Sequence, residues 1–319
     1  MIIVKGLLTA ENIVEHMNSN GIEFNIIEKT SAIDYLNSKN YYMKCAAYRD
    51  NYTKKKNTSG DMQYVNLDFA YLLELASIDE ELRHVILGMT LEIEHFLKVQ
   101  FLHDIENNPE EDGYHIIQEF VSKDEDLYRL KVLRKLRSSS YCKGLYDKYY
   151  PFFPVWVYVE LISFSQLNAL LNTYAGLYEN RPSICNYQLL NSVRDLRNAA
   201  AHSNCLINKL RPGDNIPNGH VVAWVRTCGT EDGKRLDGFS DEAIKKKLKN
   251  KFIYDFVCLL QLYFKIIPKE IKEKRYEQLN KLFTERFLKH KDWFSGNKGN
   301  STITSAYNFL KIVLDKAAQ

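Results

Sequence analysis

Apolar side chains recur every three or four residues along most of this 319-residue chain, the period of an amphipathic helix. Residues 9 to 19, with Thr9 as cap and Ile13, Val14 and Met17 on one face, form the first such segment, and Gly21 ends it. Thr30 or Ser31 opens a second, carrying Ile33, Tyr35 and Leu36. A long helical run starts at Asn66 or Asp68 and continues through Phe69, Leu72, Val85, Ile86, Met89, Ile93, Leu97 and Phe101. Residues 124 to 149 read as helix again, until Pro151 to Pro154 break the chain. From Val155 to about Tyr174 the pattern is apolar nearly all round, which predicts a helix central in the core. Residues 240–265, 268–291 and 302–317 predict three further helices.

The stripe of residues 186–202 is Leu189, Val193, Leu196 and Ala200, and the long run before it supplies the helix expected to pack against it. Arg83, Glu92 and Glu94 on that long run are candidates for pairing with another helix. Departures from helical period are few. Residues 53–61, with Lys54, Lys55, Lys56 and Gly60, read as a flexible loop, and 106–114 as an acidic one. His220 to Arg226 is rich in β-formers, and Asn218-Gly219, Asp232-Gly233 and Asp237-Gly238 suggest a small hairpin over 218–239. The expected fold is therefore all-α: an N-terminal helical segment (1–60), a helical core (61–210), and a β-hairpin insertion with extra C-terminal helices (211–319).

Candidate chemistry concentrates in Arg194-Asp195-Leu196-Arg197-Asn198-Ala199-Ala200-Ala201-His202. Asn198 and His202 are four apart and share a helix face away from the apolar stripe. Arg197 flanks them, Arg194 lies one turn earlier on the same polar side, and three alanines leave room for another helix to approach. A cation, an amide and an imidazole together suit cleavage of an RNA phosphodiester. The imidazole moves a proton near neutral pH, the guanidinium holds the phosphate, and the amide orients the histidine or the attacking 2′-hydroxyl. The substrate carries its own nucleophile, so this chemistry calls for no metal or other cofactor. The plainer alternative is a solvated helix face whose histidine sits near a helix C-terminus, where positive charge is favoured.

Composition narrows the partners. The net charge of +3 rules out a chain that coats nucleic acid along its whole surface, so local basic runs carry the argument. Lys54, Lys55 and Lys56, and a basic stripe over 129–137 that includes Arg134 and Arg137, are candidate phosphate contacts; Arg194 is a third. Six cysteines, at 45, 142, 185, 205, 228 and 258, show no Cys-x-x-Cys spacing, which reads as a reduced, cytoplasmic protein without a zinc site. The start of the chain lacks a signal-peptide pattern and no apolar run reaches spanning length, so no membrane partner is expected.

Four pieces occur in an order that resembles the Abi-like abortive-infection proteins of bacteria, within the HEPN superfamily. They are Asp34-Tyr35-Leu36 with Asn40-Tyr41-Tyr42 and Ala47-Tyr48; Ile78 to Arg83 with Glu92-Ile93-Glu94; Phe153-Pro154-Val155-Trp156 with Glu160 to Phe164; and Leu196-Arg197-Asn198 with Ala201-His202 and Leu206-Ile207-Asn208. The family's stretch His-x-x-Arg-Leu has Cys205 at the arginine here. The resemblance implies a HEPN-like helical bundle and an RNA-cutting toxin of phage defence, independent of metal and leaving 2′,3′-cyclic phosphate and 5′-hydroxyl ends. It assigns Arg197 to the phosphate, Asn198 to orientation and His202 to proton transfer. Two Arg-x4–6-His motifs meet in such enzymes. This chain has one, because Arg286 and His290 are separated by three residues, so the resemblance implies a homodimer with the 197–202 segments facing across the axis. Inactive members of the superfamily only bind, which leaves a second expectation: a non-catalytic protein that binds a structured, antitoxin-like RNA.

Overall fold

The computed structural model describes residues 8–123, 140–179, 187–227, 239–295 and 301–318. The expected phosphate contacts Arg134 and Arg137, and most of the predicted 124–149 helix, lie outside the described residues. The fold is all-α; among the described residues there are four short strand pieces, all before the long helix that starts at Phe69.

The helix Phe69–Glu106 is the axis of the molecule. Its 38 residues span about 57 Å at 1.5 Å per residue. Asp68 starts it: one carboxylate oxygen accepts Ala70 N–H at 2.8 Å, and the other accepts Asn25 N–H at 2.8 Å. One side chain thus caps the helix and ties down the N-terminal segment, where Ile22–Glu23 pairs in parallel with Leu67–Asp68. The first turns are buried on nearly every side (Phe69, Ala70, Tyr71, Leu72, Leu75, Ala76, Ile78, Asp79). Further on, burial narrows to Leu82, Ile86, Met89, Ile93, Leu97, Phe101 and Ile105, one stripe at spacings of three and four.

Glu92 pairs across helices, as its position on the long run led us to expect. Arg275 reaches it with Nη2 at 2.6 Å and Nε at 3.0 Å, and the Tyr263 hydroxyl donates at 2.6 Å. The guanidinium lies over Gly88, where a Cβ would meet Arg275 Nη2 at 2.5 Å. Thr9 caps Ala10–Ser19, with Asn12 N–H at 3.3 Å from its hydroxyl, and Gly21 turns the chain at φ +83°.

Four expectations are corrected. The helix expected from Val155 to Tyr174 is two, Val155–Leu161 and Phe164–Leu177. Ser163 and Gln166 form a reciprocal cap that starts the second one. The segment 240–265 is also two helices, Asp241–Leu248 and Lys251–Ile266, separated where Asn250 caps the latter through Ile253 N–H at 3.1 Å. The hairpin expected over 218–239 is helix at Gly219–Thr227. There Asn218 accepts His220 N–H at 2.8 Å, so Asn218-Gly219 opens a helix rather than a turn, and Val221, Val222 and Val225 are buried at helical spacing. Residues 228–238 of that expected hairpin lie outside the described residues. A hairpin exists instead where a loop was expected: Lys54–Lys56 pairs antiparallel with Met62–Tyr64. Asn57 and Gly60, at φ +88°, turn it, with the Asn57 side chain accepting Asp61 N–H at 2.8 Å. Lysine runs are poor strand formers alone; here the Lys54 ammonium stands 4.4 Å from the Tyr64 ring centroid, a cross-strand contact that favours the pairing.

Candidate functional site

Tyr187–Ala201 is the helix that carries the Arg-x4-His motif, and it packs against Lys251–Ile266 and against the long helix. Its predicted stripe is its buried face: Leu189, Val193, Leu196 and Ala200 are 5%, 0%, 2% and 7% exposed. Burying four such side chains fixes the rotation of the helix about its axis. Arg194, Arg197 and Asn198 are consequently half-buried on its flank, and His202 is exposed.

The two arginines are held differently. Arg194 donates to Asp195 at 2.9 and 3.1 Å, and Lys251 lies 3.5 Å from the same carboxylate. Its charge is therefore offset on the spot. Arg197 makes no ion pair among the described residues; its Nη1 donates to Asn198 Oδ1 at 3.4 Å and its Nε is buried without an acceptor. Arg226 and Arg286 also have an unfilled Nε, but Asp241 faces the first, and Glu74 and Glu81 the second. A half-buried guanidinium without a counter-ion is a site for an anion. The carboxylates on Arg286 also remove it from any second motif.

The helix ends in a Schellman turn. Ser203 adopts φ +54°, its N–H donates to Ala200 O at 3.0 Å, and Asn204 N–H donates to Ala199 O at 2.8 Å. His202 N–H donates to Asn198 O at 2.9 Å, so the histidine stands at the cap position just after Ala201, one turn above Asn198. No hydrogen bond or ion pair involves its ring among the described residues.

The loop beyond this turn is tied down by three buried polar residues that the sequence did not mark as functional. Asp79 of the long helix receives Leu206 N–H at 3.1 Å, Ile207 N–H at 3.2 Å, the Tyr48 hydroxyl at 2.8 Å and Arg83 Nη1 at 2.5 Å. Burial pushes its carboxyl above the ordinary range, an upward shift that these four donors reduce but do not cancel. Asn51 donates to Ile207 O at 2.8 Å and Asn208 O at 3.0 Å, and accepts Leu210 N–H at 2.8 Å. Asn250 donates to Lys209 O at 2.7 Å and Arg211 O at 2.9 Å. Their only sequence signal was Asp79 and Tyr48 falling within the pieces that carry the family resemblance.

The other expected residues are dispersed. Lys54, Lys55 and Lys56 are exposed on the 54–64 hairpin, and Lys54 lines a cleft with Lys209 and Arg211 that the other two do not reach. Among the described residues, no group of three or more His, Cys, Asp and Glu side chains is placed to hold a metal ion, and no helix is long and apolar enough to cross a membrane.

The model of the family described as "Abi-like protein" matches residues 34–208, more than half of the chain, and that range contains the motif helix, Asp79 and Asn51. The chain belongs to the Abi-like family. Membership suggests a role in abortive infection. Comparison of this Abi-like chain with curated proteins and with solved structures returned no match. The family's segment ends at the loop hung on Asp79 and Asn51, and the helices from 219 onward lie outside it.

Proposed function

We propose that this Abi-like protein is a HEPN-type, metal-independent endoribonuclease that acts in abortive infection during phage defence. The 2′-oxygen attacks phosphorus, the bond from phosphorus to the 5′-oxygen breaks, and the products are a 2′,3′-cyclic phosphate and a 5′-hydroxyl. A base takes the 2′-hydroxyl proton and an acid supplies one to the leaving oxygen; His202 fills one of these roles. Arg197 holds the phosphate and stabilises its developing charge, and Asn198 orients the reacting groups. The observation that carries this reading is the unpaired, half-buried Arg197 in contact with Asn198, one helical turn below an exposed His202. One imidazole serves one proton transfer at a time, so a second copy of the chain across a two-fold axis supplies the other.

The test uses purified full-length chain, a synthetic RNA and a chelator. The wild type is expected to leave 5′-hydroxyl and cyclic phosphate ends, and His202→Ala to cut about 10²–10⁴-fold more slowly. Because His202 is exposed, its removal should shift stability by under about 0.5 kcal/mol. Wild-type cleavage by His202→Ala breaks the assignment. Cleavage by a chain that sediments as a monomer breaks the shared site. One observation favours a second reading, an RNA-binding protein without catalysis: the His202 ring lacks an orienting partner among the described residues. Salt-dependent RNA binding that survives His202→Ala, with no cleavage by the wild type, would establish it.

A further inference from the structure

Away from the motif helix, a cleft of about 430 Å³ gathers positive charge with little to offset it. Arg49, Lys54, Lys209 and Arg211 line it, and Asp50 is the acidic residue among its lining side chains. None of the four cations makes an ion pair among the described residues. Their grouping is built by the backbone rather than by chance meetings of long side chains. Arg49 and Lys54 flank Asn51 on one wall, and Lys209 and Arg211 belong to the loop of the other wall. The Asn51 side chain joins the walls through Ile207, Asn208 and Leu210, and Arg211 Nη2 donates to Tyr52 O at 3.2 Å. Like charges held at fixed positions repel unless an anion sits among them.

We propose that this cleft holds the phosphodiester backbone of an RNA strand and feeds it to the motif helix. The inference rests on the reading of the chain as a protein that acts on RNA. Three features favour a strand over a small anion. Lys54 and Lys209 are exposed, so the positive wall continues to the surface. Lys209 lies on the loop that leaves His202, seven residues later, which makes the cleft continuous in the chain with the motif. The cations are point charges and forks suited to phosphates, and cations on phosphates position a strand without reading its bases. The cleft also divides the lysine run: Lys54 belongs to it, whereas Lys55 and Lys56 do not.

The test titrates a fluorescent single-stranded RNA with full-length chain carrying His202→Ala, so that the probe stays whole. Adding Lys54→Glu and Lys209→Glu together should weaken binding at least tenfold. Adding Lys39→Glu and Lys274→Glu, an equal change of charge at exposed positions outside the cleft, should change it under twofold. The milder pair Lys54→Gln and Lys209→Gln should flatten the slope of log affinity against log salt by about 1.4, two phosphate contacts at roughly 0.7 each. Equal losses for the two glutamate pairs, or no binding by the parent chain, overturn the proposal. Displacement of the RNA by AMP at equal phosphate concentration also overturns it, because the site would then take a free nucleotide. Failure of the nuclease reading looks different: the chain with His202 intact binds the RNA through the cleft and leaves it uncut.

Discussion

Two consecutive stretches, the last turn of the motif helix and the loop that leaves it, are held in opposite ways. From Arg197 to His202 the polar side chains have almost no partners: one 3.4 Å contact between Arg197 and Asn198, and none at the His202 ring among the described residues. From Leu206 to Arg211 the backbone is bonded by buried side chains drawn from three distant parts of the chain. The protein uses its buried polar groups to fix a backbone and leaves the adjacent side chains, those proposed to act on RNA, unfilled. That is how a site stays ready for a ligand while its position is set. The largest expected effect breaks the fixed half. Asp79→Ala strands two amides, a buried hydroxyl and the Arg83 guanidinium, and should cost about 3–5 kcal/mol in urea unfolding. Asp79→Asn keeps an acceptor for the amides and should cost less. A loss under about 1 kcal/mol for the alanine variant would show that the loop is held by something else.

Behind the motif helix, Asp255 offers a way to separate the support of that helix from its chemistry. Its carboxyl is buried and contacts Lys251 Nζ at 2.6 and 2.7 Å, with Ser192 of the motif helix also favouring the charged form, yet burial outweighs these and pushes its pKa from 3.8 up to about 6. The folded-state pKa is raised, so the contribution to stability is complete below about pH 4 and is lost as the pH rises through about 6. A shift of about two units corresponds to roughly 3 kcal/mol at 1.36 kcal/mol per unit. Asp255→Asn should remove that dependence. The wild type should lose about 2 kcal/mol relative to the variant between pH 4.5 and 7.5, by urea midpoints at each pH, the remainder of the effect falling below pH 4.5. A constant difference between the two chains across that range would mean Lys251 keeps the carboxylate charged throughout.

The free half of the comparison was legible in the sequence and the fixed half was not, for a physical reason. A stripe at Leu189, Val193, Leu196 and Ala200 is local information, and once it faces the core the places of Arg197, Asn198 and His202 are set by helix geometry. The caps at Thr9 and Asp68 are local too. Asp79 meets Leu206 across 127 residues and Asn51 meets Leu210 across 159, and no period reports such a meeting. Asn250 illustrates the same limit: read locally it is one more polar residue in a lysine-rich stretch, between Lys249 and Lys251, but it separates two helices, caps the second and holds Lys209 and Arg211. The segment from Gly219 to Thr227 resembles a strand in composition because valine and tryptophan favour strands; the better signal is spacing, since Val221, Val222 and Val225 bury one helical face while Ala223 is exposed.

The smallest expected effect lies at the junction itself. Ser203 occupies the left-handed position of the Schellman turn, where a Cβ costs about 1–2 kcal/mol and glycine is the residue without that strain. Ser203→Gly should therefore stabilise the chain, though glycine's extra freedom in the unfolded state cancels part of the gain. The net expectation is about 0.5 kcal/mol, read as a rise in urea midpoint at unchanged slope. Because His202 immediately precedes this residue and has no partner at its ring among the described residues, its position depends on the turn alone. A turn closed by hydrogen bonds to Ala199 and Ala200 should keep the proposed RNA cleavage within about twofold in the glycine variant. A fall in the midpoint would mean that the Ser203 side chain is itself part of what closes the helix. A large loss of cleavage with the midpoint raised would mean that the strained residue holds His202 in place, and the boundary between the fixed and free halves would move one residue toward the histidine.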